Sequence, residues 1–111
     1  MPNTTPEPIM RIAMGFMAAK HLFVASDLGL FEMLASGPAT LHELAAKSGV
    51  PSRTLRISAD AMVSLGLLER QGERYCNSEA AAAFLSGRRG HDLRPMLRFF
   101  DRISAAHVSA C

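Results

Sequence analysis

From Thr40 to Tyr75 the chain carries a series of helix start and stop signals that leaves few folds open. Thr40 followed by Glu43 is a capping box, in which the two side chains satisfy backbone N–H groups that a helix start leaves unpaired. Gly49 ends that helix in a tight turn, and Pro51 suits the first turn of the next one. Leu55, Ala59, Met62 and Leu65 give this second helix its core stripe, and Gly66 stops it. "LLERQGERYC" then reads as a hairpin with Gln71–Gly72 at its turn. Helix, turn, helix and hairpin in that order predict a winged helix-turn-helix, mainly α with a small β-hairpin wing.

The flanks add helices to this unit. Residues 1–8 are polar and proline-rich and read as an extended or disordered lead, leaving residues 9–111 as one domain. "IMRIAMGFMAAKHLFVAS" follows as a helix whose apolar face exceeds the third of a circumference that an ordinary surface helix buries. A chain of 111 residues has little interior to spare for that excess. Asp27 is placed to cap a short helix, "LGLFEMLASG", that Gly37–Pro38 ends, and Ser78 to cap "EAAAAF". After "GRRG", Asp92 is placed to cap a final helix with Leu93, Met96, Leu97, Phe100 and Ile103 at helical spacing, and Phe99 widens its apolar face. The N- and C-terminal helices therefore read as a dimer interface, since obligate homodimer contacts resemble a core cut in half. Its expected residues are Met10, Ile12, Met14, Phe16, Met17 and Phe23 on the first helix, with Phe99, Phe100 and Ile103 on the last.

Catalysis by this chain alone is not expected. His21, His42, His91 and His107 are scattered, with no metal-ligand spacing, and neither a phosphate-binding glycine loop nor a nucleophile motif occurs. Cys76 reads as a packed thiol at the end of a wing strand, and Cys111 as an exposed last residue. Neither implies a disulfide framework, so a reducing cytoplasmic setting is expected. Lys20, His21 and Asp27 interrupt the most apolar run, which argues against a bilayer span. Twelve Lys and Arg against ten Asp and Glu leave a net charge of only +2. On the helix after the turn, Arg53, Arg56, Asp60 and Ser64 share a face, and two arginines there suit phosphates or guanine edges. Asp60 would repel phosphate, however, and Glu69, Arg70, Glu73 and Arg74 leave the wing neutral where DNA tracking gains from uncompensated cations. Arg94, Arg98 and Arg102, with the arginines of "GRRG", form a basic run that reads as a solvated face or a partner contact. A DNA-binding winged-helix regulator remains the alternative, because it shares the scaffold.

"GFMAAKHLFVASDLGLFEMLASGPATLHELAAKSGV", together with "TLRISADAMVSLGLLER" and "RYCNSEAAAAFL", resembles the N-terminal dimerisation domain of S-adenosylmethionine-dependent O-methyltransferases. These are the plant-type small-molecule enzymes, including the acetylserotonin methyltransferases and bacterial relatives acting on antibiotics and pigments. The resemblance runs over roughly residues 10 to 104 and implies a winged helix used for protein contact, with the first helices of two subunits intertwined. By position it also implies that Met17, Lys20 and His21 line the partner subunit's substrate pocket. Family members continue into a Rossmann-like catalytic domain with a glycine-rich cofactor loop. "AAHVSAC" does not lead recognisably into one, so this chain is expected to be the dimerisation domain alone, binding no cofactor itself.

Overall fold

The computed structural model describes residues 4–87 and 91–110, and the side chains up to residue 105. The arginines of "GRRG", the His107 side chain and Cys111 lie outside the described residues. The longest helix, α1 (Glu7–Asp27), begins two residues earlier than expected, so the extended lead cannot reach residue 8. Pro8 lies in the first turn of α1, where its missing N–H has no helical partner to lose. Asp27 does not cap the next helix. It is the last residue of α1, and Gly29 makes the turn with φ +74°, a left-handed conformation that glycine adopts without a side-chain clash. That turn leads into α2 (Leu30–Met33) and a single 3₁₀ turn (Leu34–Ser36).

The capping box forms as expected at the start of α3 (Leu41–Ser48). The Glu43 N–H donates to Thr40 Oγ1 at 3.2 Å, and the Thr40 N–H donates to Glu43 Oε1 at 2.9 Å. These hydrogen bonds to Thr40 hold the exposed Glu43 carboxyl below its ordinary range. Thr40→Ala should cost about 1 kcal/mol of stability, measured by urea unfolding. After the turn comes α4 (Ser52–Ser64), which buries Leu55, Ala59 and Met62. Leu65, expected on that stripe, is exposed because the helix ends one residue before it.

Strands β2 (Leu68–Gln71) and β3 (Arg74–Asn77) form the hairpin. Gln71 pairs with Arg74, so the turn is Gly72–Glu73 rather than Gln71–Gly72. The shift puts glycine, at φ +63°, in the first central position, where a primed hairpin turn requires positive φ. A two-residue strand, β1 (Ala39–Thr40), pairs antiparallel with β3 and completes a three-stranded sheet of order β1-β3-β2. So short a strand leaves no alternating pattern to read in the sequence.

Ser78 caps α5 (Glu79–Phe84), accepting from the Ala81 N–H at 3.2 Å. The last helix, α6 (Arg94–Ala110), begins one residue later than expected, but Asp92 still serves its start. Its carboxylate accepts from the Arg94 N–H at 3.0 Å and from the Arg94 guanidinium at 2.7 Å, and Arg94 reaches on to Glu32 of α2 at 3.0 Å. The guanidinium and then the backbone N–H pull the Asp92 pKa from 3.8 down to about 2. A carboxylate with a lowered folded pKa adds stability above its unfolded value and loses it as pH falls through the folded one. Thermal melts between pH 4 and pH 2 should therefore flatten in Asp92→Asn relative to the parent chain, over about the interval between the two pKa values.

The core lies where α2, α3, α4 and the sheet meet, around Phe31, Leu30, Leu44, Leu55, Met62 and Tyr75. Each such side chain contributes about 1.5–3 kcal/mol by leaving water. Asn77 Nδ2 donates to the Phe31 carbonyl at 3.0 Å and ties the hairpin back to α2.

Candidate functional site

Alanine and methionine, both strong helix formers, let α1 run for 21 residues, about 32 Å. Only its second half belongs to the body of the domain, through contacts with α2, α4 and α6. Every residue from Glu7 to Met17 is exposed. Met10, Ile12, Met14, Phe16 and Met17, all expected at an interface, lie on this outer half, and Ile12 is 77% exposed. Ile9 joins them. Phe23 does not. It is 8% exposed and belongs to the protomer's own core, because it lies past the point where α1 meets its neighbours.

On α6, Leu97 faces the core, while Phe99, Phe100 and Ile103 are exposed as expected. Leu93 and Met96 extend that strip toward the helix start. Both were legible as helical spacing in the sequence, but which side of the stripe would face outward was not.

Met17 and His21 come together at an open groove of about 410 Å³ between α1 and α4, with Met14, Ala18, Ser64 and Leu65. Lys20 points elsewhere. Its Nζ lies 3.2 Å from Asp101 Oδ1 on α6 and 5.7 Å from the ring centroids of both Phe16 and Phe23. The three residues expected around one pocket are thus divided between two sides of α1. By length and composition alone α1 is long and apolar enough to cross a bilayer, a test that the core helix of a soluble protein also passes.

On the outer face of α4, Arg53, Arg56, Asp60 and Ser64 are all exposed. Asp60 is engaged across to the hairpin: it accepts from the Tyr75 hydroxyl, and Arg70 Nη1 lies 3.9 Å away. Arg70 also lies over the Tyr75 ring, at 5.4 Å, and its Nε donates to the Gly72 carbonyl at 2.9 Å. Burial first, then the bond to Asp60, raises the Tyr75 pKa and keeps its hydroxyl a donor. His42 and His91 are exposed, and Cys76 is a half-buried free thiol. Among the described residues no group of three or more His, Cys, Asp or Glu side chains is placed to hold a metal ion.

Comparison with known proteins assigns this arrangement. The family model described as the O-methyltransferase dimerisation domain matches residues 10–87. The tetracenomycin polyketide synthesis 8-O-methyl transferase TcmO of Streptomyces glaucescens is 42% identical over 85 residues, covering 76% of this chain and 25% of that protein. The N,N-dimethyltransferase OxyT of Streptomyces rimosus is 39% identical over 84 residues, covering 76% of this chain and 24% of its own. Human N-acetylserotonin methyltransferase, solved in complex with SAM, superposes with a TM-score of 0.77 at 29% identity, over 92% of this chain and 32% of that one. The chain thus spans about a quarter of the length of the curated relatives it matches. It belongs to the O-methyltransferase dimerisation domain family.

Proposed function

We propose that this chain is the homodimerising part of an S-adenosylmethionine-dependent small-molecule methyltransferase, a winged helix that works through protein contact. The observation that carries the reading is the outer half of α1. Three helical turns with Ile9, Met10, Ile12, Met14, Phe16 and Met17 exposed have no covering layer within the protomer. A helix segment of that length is marginal in water by itself. Apolar side chains over roughly half of its circumference call for more cover than one neighbouring helix face gives. A second copy of the chain provides such cover, and the exposed strip on α6 supplies further area. In this reading Met17 and His21, which line the groove beside α4, are the residues that reach a substrate held by the partner subunit. A reducing cytoplasm suits the free thiol of Cys76.

The engaged state of Asp60 supports protein contact over DNA reading. Arg70, the hairpin cation nearest α4, lies beside Asp60 and Tyr75 instead of standing free for phosphate. The described residues do not fit S-adenosylmethionine either. Their sheet is antiparallel throughout, with no parallel strand crossover to present a phosphate- or nucleoside-binding turn. In this reading the cofactor and the reacting groups belong to a catalytic domain of the full-length protein. Sedimentation equilibrium at micromolar concentration should return twice the chain mass, and a folded monomer there would refute the proposal. Salt-steep binding to a palindromic duplex would instead favour the regulator.

A further inference from the structure

The two exposed apolar faces belong to different helices, and among the described residues a polar contact joins those helices: Lys20 Nζ to Asp101 Oδ1 at 3.2 Å. Its position matters more than its strength. Lys20 stands in the first turn of the covered half of α1, three residues after the exposed half ends at Met17. Asp101 sits in α6 between Phe100 and Ile103, on the flank of the exposed strip. Both side chains are about one-third exposed, and the ammonium also lies beside the rings of Phe16 and Phe23. Phe16 belongs to the exposed half and Phe23 to the core, so the cation touches both parts of α1 and bridges to α6.

From this we infer that Lys20 is a positioning residue for assembly: with Asp101 it holds α1 and α6 at the angle at which their exposed apolar faces form one continuous surface for a second copy of this chain. The inference rests on the proposed homodimer and adds to it what fixes the surface's shape. An ammonium is well suited to the junction. Its charge is satisfied by Asp101 and the ring faces while its methylene stem stays in apolar surroundings. Methionine there would keep the stem and lose the angle. A twofold dimer contains the contact twice, so loss of one side chain acts on the assembly with doubled effect.

The test compares the 111-residue chain with Lys20→Met, Lys20→Arg, Asp101→Asn and the Lys20→Met/Asp101→Asn double variant by sedimentation equilibrium, alongside thermal melts of the dissociated chains at low concentration. The expected result is a dimer Kd about tenfold weaker in Lys20→Met and in Asp101→Asn. The double variant should be no weaker than either single one, as two residues acting through one contact require. Lys20→Arg should restore most of the affinity, and the melting temperature of the dissociated chain should stay near the parent's. An unchanged dimer Kd, additive single effects, or a loss of affinity matched by an equal loss of monomer stability would overturn the inference while leaving the homodimer standing. A parent chain that stays monomeric would overturn both.

Discussion

Ile12→Asp should abolish dimerisation at micromolar concentration and leave the domain body folded. Ile12 is the most exposed of the large apolar side chains on α1, and among the described residues none that precedes Ala19 packs against the core. The substitution therefore removes nothing from the protomer's interior. In a twofold dimer it removes two isoleucines from the interface, at about 2 kcal/mol each. That alone corresponds to roughly a thousandfold in Kd. An unpaired carboxylate in an apolar contact adds a further desolvation cost. Sedimentation should give the monomer mass. Circular dichroism should lose about the helix signal of residues 7–17, since that half of α1 is too short to persist uncovered. Arg53→Ala on the outer face of α4 is the control and should change neither reading. A variant that dimerises with the parent's affinity would remove α1 from the interface.

The boundaries of the central unit were legible because each rests on a local signal. Thr40 and Glu43 cap whatever helix follows them, and a glycine stop needs no distant partner to act. Even so, the hairpin turn fell one residue later than expected, because Gly72 rather than Gln71 had to take the positive φ. Phe16 and Phe23 are seven residues apart on the same side of α1, and only the packing of α1 on its neighbours makes one exposed and the other buried. No periodicity carries that information. Lys20 shows the same limit more sharply, since its partner lies 81 residues away and turns it from the α4 side to the α6 side. The charge-balanced hairpin was visible as composition. That Asp60, Arg70 and Tyr75 would meet across it depended on the register of β2 against β3.

Phe31→Ala should produce the largest loss of stability in the chain, about 3–5 kcal/mol by the usual cost of emptying a buried phenyl site. Phe31 is fully buried in a helix of only four residues that is also held by Leu30 in the core and by Glu32 on Arg94, so α2 is not free to move in and close the cavity. Its carbonyl also receives Asn77 Nδ2, and a shift of α2 into the space would stretch that link to β3. For a domain of this size the loss lowers the melting temperature by at least about 12 °C. Against a total stability of about 5–15 kcal/mol it brings the protomer near its limit. The effect should differ in kind from that of Ile12→Asp. A cavity in the protomer lowers stability at every protein concentration, whereas loss of the interface removes only the part that mass action supplies. Combining Phe31→Ala with Ile12→Asp, and reading both against the Ile12→Asp single variant, separates the two. Distant, independent sites add to within about 0.5 kcal/mol. Additivity would mean that the core around Phe31 folds without help from the second copy. A larger coupling would mean that core and interface form in one cooperative step, with the exposed half of α1 ordered only when the partner is present.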